Sequence, residues 1–205
     1  MTGPFERLAS NDTQVDALLA QSKRLGDILS FAFNTSSGIP DNNLHFNPYT
    51  LDGSETNGIA TIGTLVLEWT RLSDLTKDPK YANLTQKAES YLLKPHPALG
   101  EPFPGLLGIN VNISDGMFKD GTGGWVGGAD SFYEYLIKMW VYDNSRFSEY
   151  RDRWILAADS SIRYAASHPS SRPDLTFLAE WQGTDLVYES EHRKSASYIY
   201  GVGEC

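Results

Sequence analysis

The 205-residue sequence has little cysteine, no long apolar segment and no cluster of basic residues. Its one cysteine, Cys205, is the last residue, so no disulfide can form within the chain. The longest apolar runs, such as "ILSFAF", are too short to span a bilayer, which excludes a transmembrane helix. The start "MTGPFERLAS" lacks the basic and then apolar pattern of a signal peptide, so we expect none in this chain.

The charge balance is acidic, with 26 Asp and Glu residues against 17 Lys and Arg residues and a net charge of −9. Because nucleic-acid binding depends on clustered Lys and Arg side chains, this composition excludes a nucleic-acid partner. The hydrophobic share of 40% and the charged share of 21% are typical of a globular protein. The length is that of a single domain.

Four Asn-x-Ser/Thr triplets, which accept N-glycans in secreted proteins, begin at Asn11, Asn34, Asn83 and Asn112. They favour a protein of the secretory pathway. Such triplets also arise by chance in polar loops, so they do not decide the compartment.

Apolar residues recur at steps of three and four along most of the chain, which predicts an all-α fold. The predicted helices cover residues 13–33, 58–76, 79–93, 130–142 and 146–168. The second and third are joined by a short turn and should form a helical hairpin. Strands are minor, with a β-hairpin around Asp115-Gly116 and an extended segment, 168–190, that turns at Gly183.

The segment "GGADSFYEYLIKMWVYD" (127–143) places Asp130 and Glu134 one turn apart on the same helix face. Asp130 stands where a glycine-rich run gives way to the helix, so it could serve only as a cap of the first turn. A cap does not explain Glu134. If the face is solvated, Glu134 needs no special role, and if the face is buried, its carboxylate must find donors, bind a ligand or raise its pKa.

Four blocks, in this order, resemble one known family: "LGDILSFAFNTSSGIP" (25–40), "GTLVLEWTRLSDLTKDPKY" (63–81), "GADSFYEYLIK" (128–138) and "SHPSSRPDLTFLAEW" (167–181). They are similar to the class I α-1,2-mannosidases of glycoside hydrolase family 47, and nearest to its secreted fungal branch. The likeness runs from about residue 14 to residue 192, whereas residues 193–205 resemble nothing in the family. We therefore expect a single partial catalytic domain over residues 1–205.

The resemblance implies a partial (α/α)7 barrel built from helical hairpins, with a small β-hairpin insertion. It also implies inverting hydrolysis of terminal α-1,2-linked mannose from high-mannose N-glycans, by a protein that is in the secretory pathway or secreted. The family requires Ca²⁺, but the threonine that binds it lies outside this chain, so no metal ligand is expected here. The oligomeric state is not predicted.

The resemblance also assigns site residues. Asp130 falls on a catalytic acid or proton relay, and Glu134 and His192 fall on positions that bind the substrate. Gly128 stands where reticulum members carry an arginine that grips the glycan, which implies a wider site here. Glu68 falls on a position that is more often structural, and His192 could equally be an exposed loop residue.

The family domain is more than twice as long as this chain, and its other catalytic carboxylates lie on helices that the chain lacks. We therefore expect little or no mannosidase activity from the chain alone. A non-catalytic α/α glycan-binding module is the alternative function. A helical-repeat scaffold for proteins is a further possibility, against which the lack of a fixed repeat period argues. Tyr133 and Leu136 should be buried, and Trp125 should lie nearer the sugar pocket.

Overall fold

The computed structural model describes residues 12–187. Within them six α-helices form: α1 (Asp12–Leu29), α2 (Ile59–Gly63), α3 (Val66–Thr76), α4 (Lys80–Leu93), α5 (Asp130–Tyr142) and α6 (Ser148–Ser160). Short 3₁₀ turns follow at Ser30–Phe33 and Ala98–Gly100, and a π turn at Ser161–Ala165 extends α6. The helices confirm the fold class predicted from periodicity. None of those between residues 12 and 187 combines the length and the apolar character that crossing a bilayer requires.

The described residues also form nine short strands, five between the helices and four after α6. They are β1 (Leu44–Phe46), β2 (Tyr49–Leu51), β3 (Thr56–Gly58), β4 (Asn110–Asn112), β5 (Thr122–Gly123), β6 (Ala166–Ser167), β7 (Phe177–Leu178), β8 (Glu180–Gln182) and β9 (Asp185–Val187). All pair antiparallel, as β1–β2, β3–β4, β5–β8–β9 and β6–β7. The predicted turn at Gly183 joins β8 to β9, and Gly183 has a positive φ of 61°.

The helix predicted over 58–76 is interrupted. It is two helices, because α2 ends at Gly63 and α3 begins at Val66. Thr64 Oγ1 donates a hydrogen bond to the Ala60 carbonyl at 2.8 Å, a local bond that competes with the regular helical ladder. Gly63 also allows close packing, since a Cβ there would lie 2.7 Å from the ring of Phe132.

The hairpin predicted at Asp115-Gly116 is present, but its first strand has another main partner. The Asn112 N–H donates to the Met117 carbonyl at 2.8 Å across the turn. The strand β4 also pairs with β3, with Val111 opposite Asn57. The turn dipeptide predicts only the local pairing, because β3 lies far earlier in the chain.

The helices form two layers. Two helical hairpins, α3–α4 and α5–α6, stand side by side, so that α3 packs on α5 in front and α4 packs on α6 behind. The helix α1 packs beside α3, and the short α2 packs against α4 and α5. This arrangement gives α3 and α5 a front face that no described helix covers.

The core lies between the layers and under the loop that precedes β4. Leu106 and Leu107 come from that loop and are fully buried. Tyr133 and Leu136 are also fully buried, which confirms the predicted inner side of α5. The Tyr133 hydroxyl accepts a hydrogen bond from the Leu107 N–H at 2.9 Å, and burial raises the pKa of this phenol far above its ordinary value. The loop is therefore fixed to the back of the helix that carries Asp130.

Candidate functional site

Asp130 is the first residue of α5 and its side chain is exposed. Its N–H donates to the Val126 carbonyl at 3.0 Å. The carboxylate Oδ1 accepts hydrogen bonds from the Ser131 N–H at 2.8 Å and from the Ser131 hydroxyl at 3.3 Å. The side chain therefore binds only the N–H of the next residue, and it is not the helix cap, because Ala129 holds that position and no side chain caps the first turn. Its contacts are local, and the rest of the carboxylate stays open to a ligand.

Glu134 lies one turn further along the same face. Its side chain is 55% exposed and its Oε1 lies 2.6 Å from Nζ of Lys138. The helix face that carries Glu134 is therefore solvated and not buried. Glu134 is an accessible carboxylate in a surface ion pair and carries no burial penalty.

Glu68 on α3 is the neighbour of this face. The Tyr135 hydroxyl donates to Glu68 Oε1 at 3.0 Å. Burial, together with the Glu68 carboxylate, raises the pKa of Tyr135 to about 12. Glu68 therefore ties α3 to α5, in agreement with the structural role predicted for it.

Gly128 is exposed and has a φ of 96°, a conformation that strains any residue with a Cβ. Its carbonyl accepts a hydrogen bond from the Ala60 N–H at 3.1 Å. A side chain at Gly128 would meet only Ile109, at 3.8 Å. The turn into α5 thus provides a backbone reason for glycine, besides the extra room that the resemblance implies.

The two remaining residues of the predicted site are His192 and Trp125. His192 lies outside the described residues. The Trp125 ring packs against Tyr133, with centroids 4.4 Å apart, and its Nε1 donates to Ser161 Oγ at 2.7 Å. These contacts engage one face and the N–H of the indole. They favour a packing role over the position near the pocket that was expected.

The described residues form a groove of about 480 Å³ at the opposite end of α5, lined by Ser73, Asp74, Lys77, Pro79, Ala82, Gln86, Arg146 and Phe147. Asp130 and Glu134 do not line it. Since α5 rises roughly 1.5 Å per residue, Asp130 lies about 20 Å from this end. The Arg146 guanidinium donates to both oxygens of Asp74, at 3.0 and 2.6 Å, and lowers the pKa of that carboxyl. Asp74 and Arg146 in the groove are thus paired with each other, and neither predicted carboxylate lines it, which sets the groove apart from the predicted sugar site.

The spacing of the two exposed carboxylates limits their chemistry. Residues one helical turn apart have Cβ atoms roughly 5–6 Å apart and point the same way. Inverting glycosidases need two carboxyl groups about 6.5–9.5 Å apart, on opposite sides of the sugar. Asp130 and Glu134 can therefore line one side of a sugar, and the facing carboxylate must come from another element.

The residues between 12 and 187 include no group of three His, Cys, Asp or Glu side chains placed to hold a metal ion. The resemblance places the threonine that binds Ca²⁺ outside this chain.

Sequence reasoning missed Glu89, which is 0% exposed on α4. Neither carboxylate oxygen has a hydrogen-bond partner among the described residues. Its Oε2 would lie 3.3 Å from a Cβ at Gly63, behind the first turns of α5. Burial raises the pKa of Glu89 well above its ordinary value. The position of Glu89 in the sequence was the available signal for its burial. It lies four residues after Thr85 and three before Leu92, which places it on the helix face of these two buried residues.

Replacing Glu89 by methionine should raise the free energy of unfolding at pH 7 by about 1–3 kcal/mol, since an unpaired buried carboxyl is exchanged for an apolar side chain. Because the folded pKa is raised, folding of the wild type should weaken as pH rises from 4.5 towards that higher value. Urea unfolding at several pH values measures both effects. Glu89→Gln should lose this pH dependence, whereas Glu149→Gln, at an exposed residue, should keep it. The same dependence of the unfolding free energy on pH in the wild type and in both glutamine variants would contradict the assignment.

Comparison with solved structures first defines the class of fold. The chain superposes on the α-1,2-mannosidase from Trichoderma reesei with a TM-score of 0.85 and 53% sequence identity. The match covers 90% of this chain but 38% of that one. The helical hairpins are therefore part of an α/α barrel, and the predicted partial barrel with small β-hairpins is confirmed.

The sequence profile of Glycosyl hydrolase family 47 matches residues 6–202, so the chain belongs to that family. It is 60% identical over 192 residues to the probable mannosyl-oligosaccharide alpha-1,2-mannosidase 1B of Aspergillus clavatus, covering 94% of this chain and 38% of that protein. It is 57% identical, with the same coverage, to the mannosyl-oligosaccharide alpha-1,2-mannosidase of Penicillium citrinum. The chain thus spans less than two fifths of the length of these relatives. The profile match extends beyond the expected range of 14–192 at both ends.

Proposed function

We propose that this chain is part of an α-1,2-mannosidase of the secretory pathway that removes terminal α-1,2-linked mannose from high-mannose N-glycans with inversion. The observation that carries the proposal is the accessible Asp130 at the start of α5, in a fold that superposes on the Trichoderma reesei enzyme at 53% identity. The family that the sequence resembles requires Ca²⁺ at the sugar. The threonine that binds this ion lies outside this chain.

The roles follow from chemistry and position. Asp130 acts as the catalytic acid or as the relay that brings a proton to the leaving oxygen. Glu134 lines the same side of the sugar and accepts hydrogen bonds from its hydroxyls. Gly128 leaves space for a glycan branch beside Asp130, and His192 contributes to the sugar pocket.

The chain alone should release little or no mannose from a high-mannose glycan, even with added Ca²⁺. The physical reason is that the facing carboxylate needed for inversion is not supplied by the front face of α3 and α5. Mannose release by the purified chain measures this. Turnover that Asp130→Asn abolishes would contradict the prediction, and glycan binding without turnover would favour the non-catalytic alternative.

A chimera tests the activity itself. Residues 12–187 can replace the matched segment of the Trichoderma reesei enzyme, which supplies the rest of the barrel. The chimera should release mannose, and Asp130→Asn should lower kcat by about 10²–10⁴-fold because a positioned proton donor is lost. Asp152→Asn, the same change at an exposed carboxylate of the rear helix α6, is the matched control. Equal activity of the two variants in a folded chimera would refute the role of Asp130.

A further inference from the structure

The triplet Asn83-Leu84-Thr85 lies near the start of α4, in the rear layer of the domain. Thr85 is fully buried, and its hydroxyl donates to the Ala82 carbonyl at 3.3 Å. Asn83 is exposed, and no residue between 12 and 187 forms a hydrogen bond with its side-chain amide. The packing of α4 therefore accounts for Thr85 but gives the side chain of Asn83 no role.

The outward face of α4 is polar and solvated. Asn83 shares this face with Lys80, Lys87 and Ser90, which lie at helical spacing and are all exposed. No large apolar side chain within α4 is exposed, whereas α1 and α6 both expose aliphatic side chains. A helix face without apolar side chains has nothing to bury against a neighbour, so we expect this face to stay in water in the complete barrel.

We propose that Asn83 is an N-glycosylation site and that its oligosaccharide covers the outward face of α4. The triplet has the acceptor pattern, and a bulky polar glycan requires the exposed position that Asn83 has. In the transfer, a bond forms between Asn83 Nδ2 and C1 of the first sugar, and the bond between that C1 and a phosphate oxygen of a lipid diphosphate donor breaks. The lipid diphosphate leaves with the electron pair of the broken bond, and the amide loses one proton to a base of the transferase. The inference rests on the secretory compartment in the proposed function and not on the proposed hydrolysis.

Burial of Thr85 in the folded protein does not oppose this modification. The transferase acts on the extended chain as it enters the compartment, before α4 folds, so the folded structure decides only whether the modified chain can fold. Asn83 suits this requirement better than Asn112, which is half-buried and whose Oδ1 accepts hydrogen bonds from the Ser114 N–H and hydroxyl, both at 2.9 Å. The triplet at Asn34 ends in serine, which the transferase uses less efficiently than threonine.

The test is expression in yeast of the full 205-residue chain with a cleavable secretion leader and a carboxyl-terminal tag that holds its own Asn-x-Thr triplet. The glycan on the tag reports contact with the transferase. After endoglycosidase treatment, peptide mass spectrometry should find one N-acetylglucosamine on Asn83 in most of the molecules whose tag is modified. Asn83→Gln should abolish it, as should Thr85→Val, which keeps the buried volume. Asn144→Gln, at an exposed asparagine outside any triplet, should leave it unchanged.

A bare Asn83 beside a modified tag would overturn the proposal. A second measurement tests whether the outward face of α4 has room for the glycan, because the urea midpoint of the secreted chain should be the same before and after endoglycosidase. A midpoint that rises on removal of the glycan would also overturn the proposal, since the glycan would then crowd α4. The leader supplies entry into the compartment, so neither result depends on activity. A chimera that releases no mannose would refute the proposed function and leave the assignment of Asn83 standing.

Discussion

Replacing Gly105 with alanine should lower the free energy of unfolding by about 3 kcal/mol or more, through two separate effects. Gly105 has a φ of 81°, which costs a residue with a Cβ about 1–2 kcal/mol. The added Cβ would also lie 2.5 Å from the Ala157 nitrogen and 2.8 Å from its Cα, both in the backbone of α6. A helix backbone cannot move aside as a flexible side chain can, and overpacking of this kind costs about 1–3 kcal/mol.

Urea unfolding followed by tryptophan fluorescence measures the loss. Gly53→Ala separates the two effects, because Gly53 has a φ of 80° but nothing within 4 Å of its added Cβ. Gly127→Ala controls for both, since Gly127 has open space and no positive φ. The expected order of destabilisation is Gly105, then Gly53, then Gly127. A stability of Gly105→Ala equal to that of Gly53→Ala would show that α6 does not press on this turn.

Replacing Glu101 with alanine should cost about 3 kcal/mol, the lower end of the range for removing one partner of a buried ion pair, because the pair is largely but not fully buried. Glu101 Oε1 lies 2.7 Å from Nη1 of Arg153, and the two side chains are 22% and 10% exposed. The same oxygen accepts the Gly105 N–H at 2.5 Å. Arg153 Nε and Nη2 have no other partner among the described residues. Without Glu101, a buried guanidinium would keep its charge with no acceptor.

The double variant Glu101→Leu/Arg153→Met should recover most of that loss, because it removes both charges instead of one. Asp174→Ala breaks the exposed pair with Arg172 and should leave the denaturation midpoint unchanged. Thermal and urea unfolding of the three variants measure these changes in stability. If the double variant is as unstable as Glu101→Ala, the lost stability comes from packing and not from the unpaired charge.

The helical fold could be predicted from the sequence because its signals are local. The apolar spacing predicted α4 and α5 almost to the residue, and Asp143-Asn144-Ser145 marked the end of α5 correctly, whereas the helix predicted over 13–33 is α-helical only to Leu29 and continues as a 3₁₀ turn. The break between α2 and α3 was not predicted, since it depends on the Thr64 hydroxyl and on the close approach of Phe132 to Gly63. The pairing of β3 with β4 was missed because it joins distant segments.

The site was predicted through resemblance, and periodicity alone would not have assigned it. Spacing showed that Asp130 and Glu134 share a face, and the structure confirms this. It could not show that the face is open, because exposure depends on which helices stand opposite. Glu89 escaped notice for a related reason. A glutamate on an amphipathic helix is ordinarily solvated, and only the packing of other helices, such as α2 and α6, against α4 buries it.

The two tyrosine bonds between α3 and α5 fix a relation that bears on charge. Tyr135 reaches Glu68, and seven residues later Tyr142 reaches Asp74, so both contacts advance in the same chain direction. The two front helices therefore run parallel, and their amino termini lie at the same end. Helix dipoles that point the same way add their positive potential there. Asp130 thus belongs to a rim where aligned helix dipoles favour electron-rich oxygen, from its own carboxylate or from a bound ligand.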